Sequence, residues 1–229
     1  MLKRIFVAGT DTAVGKTIVS RALLQNLAAH NLNVVGYKPI ARSSEEMPEG
    51  LRNKDALILS ASSTLTLPYA EINPITLREE EIGAYTGSEI NYDLMSKGLQ
   101  HLTEIADTVV VEGSGGWRTI MSDYRPYSDW VVKEQIPVIL VVGIKLGCIN
   151  HALLTAQAII ADGLPLIGWV ANRINPGLAH YAEIMDILRT KIPAPQLGEL
   201  PYLPRAEKRD LANYIILDSL LNQKEKLAV

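Results

Sequence analysis

The chain has 229 residues, 48% of them hydrophobic and spread along its whole length, with 22 basic against 25 acidic side chains and a net charge of −3. That is enough chain to bury a large core and short enough to form one domain over 1–229, and the apolar content argues against disorder. No basic stripe favours nucleic acid, and the longest apolar runs fall far short of the roughly 20 residues that span a bilayer. Met1 to Ile5 runs directly into a strand and leaves no room for a signal peptide. The single cysteine, Cys148, rules out an intrachain disulfide. A cytoplasmic protein with neither membrane nor nucleic-acid partner is expected.

Short β-branched runs alternate with helical patterns. Strands are predicted over Arg4 to Ala8, Val34 to Lys38, Thr108 to Glu112, Val138 to Gly143, Leu166 to Ala171 and Leu197 to Leu200. Several are apolar without alternation, as parallel strands covered on both faces are. Helices are predicted over Gly15 to His30, Asn53 to Ser62, Tyr92 to Ile105, Tyr127 to Glu134, Ile149 to Ala161, Ala179 to Lys191 and Leu211 to Gln223. The pattern predicts a doubly wound, mostly parallel sheet with helices on both faces and ligands at the carboxyl ends of the strands. Ser62 to Asn91 reads as an irregular excursion on the rim of the site, and Gln223 to Val229 as a frayed tail.

The first strand ends in Gly9-Thr10-Asp11-Thr12-Ala13-Val14-Gly15-Lys16-Thr17, which opens a helix. Backbone N–H groups of such a loop, with the helix N-terminus, point at phosphate oxygens. Lys16 would reach the β- and γ-phosphates and the Thr17 hydroxyl would ligate Mg²⁺. The glycine at position 9 stands one place earlier than the strict P-loop pattern requires. Mg²⁺ takes few protein carboxylates, and candidates are Glu112, which ends a buried strand before Gly113-Ser114-Gly115-Gly116, and Asp55, near a helix start. Asp55 could equally be an acid that complements the helix dipole, and Glu112 an ordinary strand-end charge. Lys38, after the second strand, can face the γ-phosphate or be a solvated strand end. Gly143 to His151 joins a buried strand to a helix and offers a second anion-binding N-terminus, or a plain turn with Lys145 in solvent. Cys148 reads as a small buried residue. His30, His101, His151 and His180 have no metal spacing and receive no role.

Taken in order, the P-loop, Gly36 to Pro39, Pro48 to Ala56, Val111 to Trp117, Val142 to Ala152 and Gly168 to Asn172 resemble segments of the dethiobiotin synthetase family, and the likeness runs from about Lys3 to Leu203. The early glycine is the family's own version of the loop. The resemblance implies an ATP- and Mg²⁺-dependent ligase. It would convert 7,8-diaminopelargonic acid and CO₂ into dethiobiotin through a carbamate and a carbamic–phosphoric anhydride. It implies catalytic roles for Lys16 and Lys38, and metal ligation by Thr17, Asp55 and Glu112. ATP would contact Thr12, Ala13, Val14, Gly15, Lys16, Thr17, Asp55, Glu112, Gly113, Ser114 and Gly115, with the base near Asn172, Arg173, Pro201, Tyr202 and Leu203. The diamine would meet Thr10, Lys38 and Arg42, and its distant carboxylate Gly147, Cys148 and Asn150 from the second subunit of a homodimer, with Tyr181 a further candidate. Asn175 stands where guanine-specific P-loop proteins carry an aspartate, which favours ATP over GTP.

Two departures from the family mark the diamine side: Arg42 replaces a small hydroxyl residue, and Arg78 to Thr86 lacks the usual Pro-His stretch. Other readings are a partition-type nucleotide-switch ATPase, disfavoured because Asp11 occupies the place of that class's extra P-loop lysine, and another ATP-dependent ligase on the same scaffold.

Overall fold

The computed structural model describes residues 2–78, 90–121 and 123–221. The central sheet has six strands in the order β10-β9-β8-β1-β7-β2: β1 (Arg4–Gly9), β2 (Val34–Tyr37), β7 (Thr108–Glu112), β8 (Val138–Gly143), β9 (Leu166–Asn172) and β10 (Gln196–Leu200). All neighbours run parallel, with Phe6 opposite both Val111 and Val138. Every residue of β7 and β8 is buried, which explains their unbroken apolar runs: helices cover both faces. The chain leaves central β1 towards β2 on one side and later fills β8, β9 and β10 on the other. The carboxyl ends of β1, β2, β7 and β8 therefore meet at a topological switch point, where open α/β sheets bind ligands.

Helix α1 (Lys16–Ala29) packs Val19, Leu23 and Leu27 onto the sheet, a spacing that keeps one helix face apolar. Helices α2 (Lys54–Ser62), α3 (Tyr69–Ile72), α4 (Tyr92–Ile105), α5 (Tyr127–Lys133), α6 (Cys148–Ala161) and α7 (Tyr181–Lys191) follow. The predicted strands and the first six predicted helices are present, with ends shifted by a residue or two. The excursion after Ser62 carries more order than expected. It contains α3 and β6 (Ile75–Thr76), the latter paired in parallel with β3 (Ile40–Ala41). A small hairpin, β4 (Glu45–Met47) with β5 (Gly50–Arg52), precedes α2. Of the unusual stretch Arg78 to Thr86, all but Arg78 lies outside the described residues, as does the tail beyond Leu221.

The helix expected over Leu211 to Gln223 is not continuous. A 3₁₀ turn (Ala212–Tyr214) is followed by Ile215 bridging Gly198 and then by the short α8 (Asp218–Leu221). The buried side chains Leu211, Ile215, Leu217 and Leu220 fall at spacings no single helix face supplies. Side chains of α1 also capture the backbone: Asn26 Nδ2 donates to Ala212 O (3.0 Å) and Ile215 O (2.9 Å), and Leu211 N donates to Gln25 Oε1 (2.8 Å). The Ala212 and Ile215 carbonyls are acceptors that a continuous helix would pair within itself, and here they turn to Asn26 instead.

Candidate nucleotide and metal site

The loop between β1 and α1 is shaped by close approach. A Cβ at Gly9 would lie 2.8 Å from the Val14 side chain and 3.0 Å from Asp11 O and Lys16 Cδ, so position 9 is where this loop cannot carry a side chain. That accounts for the early glycine. Gly15 has φ 95, in the left-handed region that glycine populates without penalty, and a Cβ there would collide with the Asn172 amide. Asn172 Nδ2 donates to Val14 O at 2.9 Å, pinning the loop to the end of β9. Lys16 curls back, its Nζ donating to Asp11 O at 3.0 Å. Burial, reinforced by the nearby Lys38 charge, brings the Lys16 ammonium down to about 8 from its ordinary 10.5.

Below the loop lies a buried ionic cluster. Lys38 Nζ is 2.6 Å from Glu112 Oε1, 3.2 Å from Asp55 Oδ2 and 3.3 Å from Gly113 O. Thr17 Oγ1 donates to the same Glu112 Oε1 at 2.9 Å. Glu112 is fully buried, and its Oε2 has no hydrogen-bond partner. Burial works against the Lys38 charge, but the Glu112 and Asp55 carboxylates outweigh it and hold the ammonium above the ordinary lysine range. Burial also pushes Asp55 up, yet Lys38 wins and keeps it below the usual carboxylate range.

Local folding aims each member of the cluster. Asn53 caps α2, accepting from Asp55 N (3.0 Å) and Ala56 N (3.2 Å), so Asp55 stands in the first turn facing the loop. The Asn53 amide donates to Arg42 O at 2.8 Å. The backbone of Lys38 is clamped by α3: Lys38 N donates to Ile72 O (2.8 Å), and buried Asn73 donates to Lys38 O (2.7 Å). Asn73, Asn53 and Tyr69, whose hydroxyl links the two, were not singled out in the sequence. The cap could have been found from Asn preceding an apolar helix; Asn73 could not, because its partner is 35 residues away.

Lys16, Thr17, Lys38, Asn53, Asp55 and Glu112 line a cleft of about 760 Å³ together with Thr12, Ala13, Gly15, Arg42, Ser43, Ser114, Gly115 and Thr119. Arg42 reaches the cleft with one guanidinium nitrogen on Ile120 O at 2.7 Å. Gly113 borders a tight pocket against Phe6 and Trp117 instead. Thr10 is held by its N–H on Val141 O (3.0 Å). Arg173, Pro201, Tyr202 and Leu203 stand apart from the cleft lining, at the ends of β9 and β10; the Arg173 guanidinium stacks 4.4 Å over the Tyr181 ring, and Tyr181 OH donates to Glu199 at 2.9 Å. Gly147, Cys148 and Asn150 form the start of α6, with Cys148 buried and Gly147 and Asn150 exposed. Lys145 is part-exposed but paired: its Nζ meets Asp11 Oδ2 at 2.9 Å, joining this turn to the phosphate loop. No cluster of three or more His, Cys, Asp or Glu side chains suited to a metal occurs among the described residues. A metal here would rest on two carboxylates and a hydroxyl, a donor set that fits Mg²⁺, which keeps most of its ligands as water and phosphate oxygen.

The strand order and the loop define a P-loop nucleotide-binding protein. Consistent with this, the fold resembles MinD in the MinC:MinD cell division complex of Aquifex aeolicus (TM-score 0.59, 15% identity, 88% of this chain and 82% of that one) and a ParA family ATPase from Chlorobium tepidum (TM-score 0.55, 15% identity, 98% and 95%). The AAA domain family matches residues 3–209. Among curated sequences, the chain is 67% identical over 220 residues to ATP-dependent dethiobiotin synthetase BioD 2 of Escherichia coli K12, covering 96% of this chain and 95% of that protein. It is 53% identical over 226 residues to ATP-dependent dethiobiotin synthetase BioD of Vibrio parahaemolyticus, covering 97% and 99%. The chain belongs to the ATP-dependent dethiobiotin synthetase family, whose members are ligases. No described helix is long and apolar enough to cross a membrane.

Proposed function

We propose that this chain closes the ureido ring of dethiobiotin from 7,8-diaminopelargonic acid, CO₂ and ATP. Family membership supports the overall reaction. The observation that carries the chemistry is the meeting of Lys16, Lys38, Thr17, Asp55 and Glu112 on one cleft beneath the P-loop. One amine of the diamine adds to CO₂ and loses a proton, giving a carbamate. A carbamate oxygen attacks the γ-phosphorus as the bond to ADP breaks. The second amine then attacks the activated carbonyl, a proton leaves, and the C–O bond to phosphate breaks. A carbamate is a poor electrophile until its oxygen becomes a phosphate leaving group, so phosphoryl transfer is the step that needs help.

Such transfer needs positioning and charge neutralisation more than covalent assistance. Lys16 would bind the β- and γ-phosphates and Lys38 the oxygens shared between carbamate and γ-phosphate. Thr17, Asp55 and Glu112 would hold Mg²⁺, which when bound neutralises phosphate charge. Thr12 to Thr17 and Gly113 to Gly115 would surround the phosphates, and Asn172, Arg173 and Pro201 to Leu203 the adenine. Asn175 turns its side-chain oxygen onto Gly177 N (3.1 Å) and offers no carboxylate to a guanine edge. The diamine would lie along Thr10, Lys38 and Arg42, and its carboxylate at Gly147, Cys148 and Asn150 of a second subunit. The test is to supply ATP, Mg²⁺ and bicarbonate with and without the diamine. Phosphate release that requires the diamine, with dethiobiotin identified by mass, is expected; release indifferent to the diamine overturns the reading.

A further inference from the structure

Lys38 holds a peculiar position for a residue that should face a phosphate. Its ammonium is buried between Glu112 and Asp55, on the two carboxylates assigned above to the metal. The Thr17 hydroxyl shares Glu112 Oε1 with it. A cation that takes Thr17 Oγ1 and Asp55 together must come close to that same oxygen. Two cations at such a separation, away from bulk water, repel strongly. We propose that Lys38 and the divalent cation are exclusive occupants of one place, so that entry of the cation with the nucleotide turns the Lys38 ammonium out towards the reacting phosphate. This rests on the metal assignment made under the proposed function.

The surroundings suit such an exchange. The Lys38 backbone is fixed on both sides, its N–H on Ile72 O and its carbonyl on Asn73, and Pro39 follows with a constrained φ. Only the four-carbon stem has to move, which lysine does without disturbing the fold. Glu112 Oε2, unpartnered in the core, remains an acceptor for whatever replaces the ammonium. The exchange would keep the buried Glu112 and the part-exposed Asp55 neutralised in both arrangements and would bring the catalytic charge forward only when the metal is in place.

The experiment measures binding of Mn²⁺ to the nucleotide-free full chain by the electron paramagnetic resonance of the free ion. Lys38→Gln, which keeps length and a donor but removes the charge, is expected to tighten Mn²⁺ binding on the order of 10- to 100-fold, the scale on which neighbours of metal ligands tune affinity. Adding Glu112→Gln to that variant should erase the gain. Equal or weaker binding by Lys38→Gln, with Glu112→Gln still weakening Mn²⁺ in the unaltered background, overturns the exchange and leaves the metal assignment standing. If neither Glu112→Gln nor Asp55→Asn changes Mn²⁺ binding, the assignment fails and the exchange falls with it. A second measurement needs no variant: trace acetylation of Lys38 in the ADP complex, read by mass spectrometry. Reactivity should rise several-fold on adding Mg²⁺ to that complex; unchanged reactivity at saturating Mg²⁺ overturns the exchange.

Discussion

The phosphate cleft and the outlying surface at the start of α6 and the ends of β9 and β10, the far end of the proposed site, are held in different ways. At the phosphate end, Lys16, Lys38 and Glu112 are buried and each polar group is aimed by a neighbour: Asn53 on Asp55, Asn73 on Lys38, Thr17 on Glu112. At the far end, Asn150, Gly147 and Tyr202 are exposed, and Arg173 and Tyr181 are occupied with one another and with Glu199. A buried charge without its partners is costly, so the first region is confined to arrangements in which each charge keeps an opposite one beside it. The second is free to wait for a ligand or another subunit. Preorganisation belongs where charge moves during reaction, and adaptability is tolerable where a ligand is merely held.

If that contrast is right, substitutions should grade by region. Lys16→Ala should cost most: triphosphate binding lost and kcat/KM down by about 10²–10³-fold or more, since its charge faces ground state and transition state alike. Near-normal ATP binding by calorimetry would sever the loop from its assigned role. Lys38→Gln should lower kcat by about 10²–10³-fold while ATP affinity moves little. An unchanged kcat at saturating substrates would make Lys38 a purely structural charge.

At the far end the effects should be smaller. Asn150→Asp places a charge at an exposed helix start, where such terms are worth about 0.3–1 kcal/mol, so diamine affinity should fall up to about fivefold and ATP affinity stay put. Mixing it with excess Lys16→Ala should bring the diamine affinity of the working pocket back towards the unaltered value if the site is shared between subunits, because that pocket of a mixed dimer then has both intact halves. No recovery after proven subunit exchange would confine each site to one chain.

The smallest effect sharpens the phosphate end. Lys16 titrates near 8 because burial disfavours its charge. Triphosphate favours the charged form and raises that value. Between about 8 and the ordinary 10.5, binding should therefore draw a proton from solvent, about half a proton at pH 8, and affinity should fall as pH rises through this window. Calorimetry in buffers of differing ionisation enthalpy reads this directly. Zero uptake would mean that Lys16 is already fully charged before the ligand arrives.

The difference in construction also governs what could be read from the chain alone. β1, β7 and β8 announce themselves by unbroken apolar runs, and the P-loop by spacing, because both are local patterns. The partners of Lys38 are separated from it by 17 residues at Asp55 and 74 at Glu112. Each could be suspected by type and by resemblance, but their mutual contact is a property of strand order. Asn73 was invisible because its task is to bond the backbone of a residue in another element. The break at Leu211 to Leu221 was misread since Asn26 and Gln25 on α1, not local propensity, decide where those carbonyls and N–H groups go.

Asn172 has one further consequence. Its amide supports the Val14 carbonyl and fills the space a Cβ would need at Gly15, while the same residue is the proposed reader of the base. If Asn172 reads the base as proposed, nucleotide preference and phosphate grip would not be separable traits in this scaffold. Attempts to re-engineer it for another nucleotide through position 172 should degrade triphosphate binding before they alter selectivity. Variation in preference is more accessible at Arg173, Pro201 and Tyr202, which are not bonded to the loop.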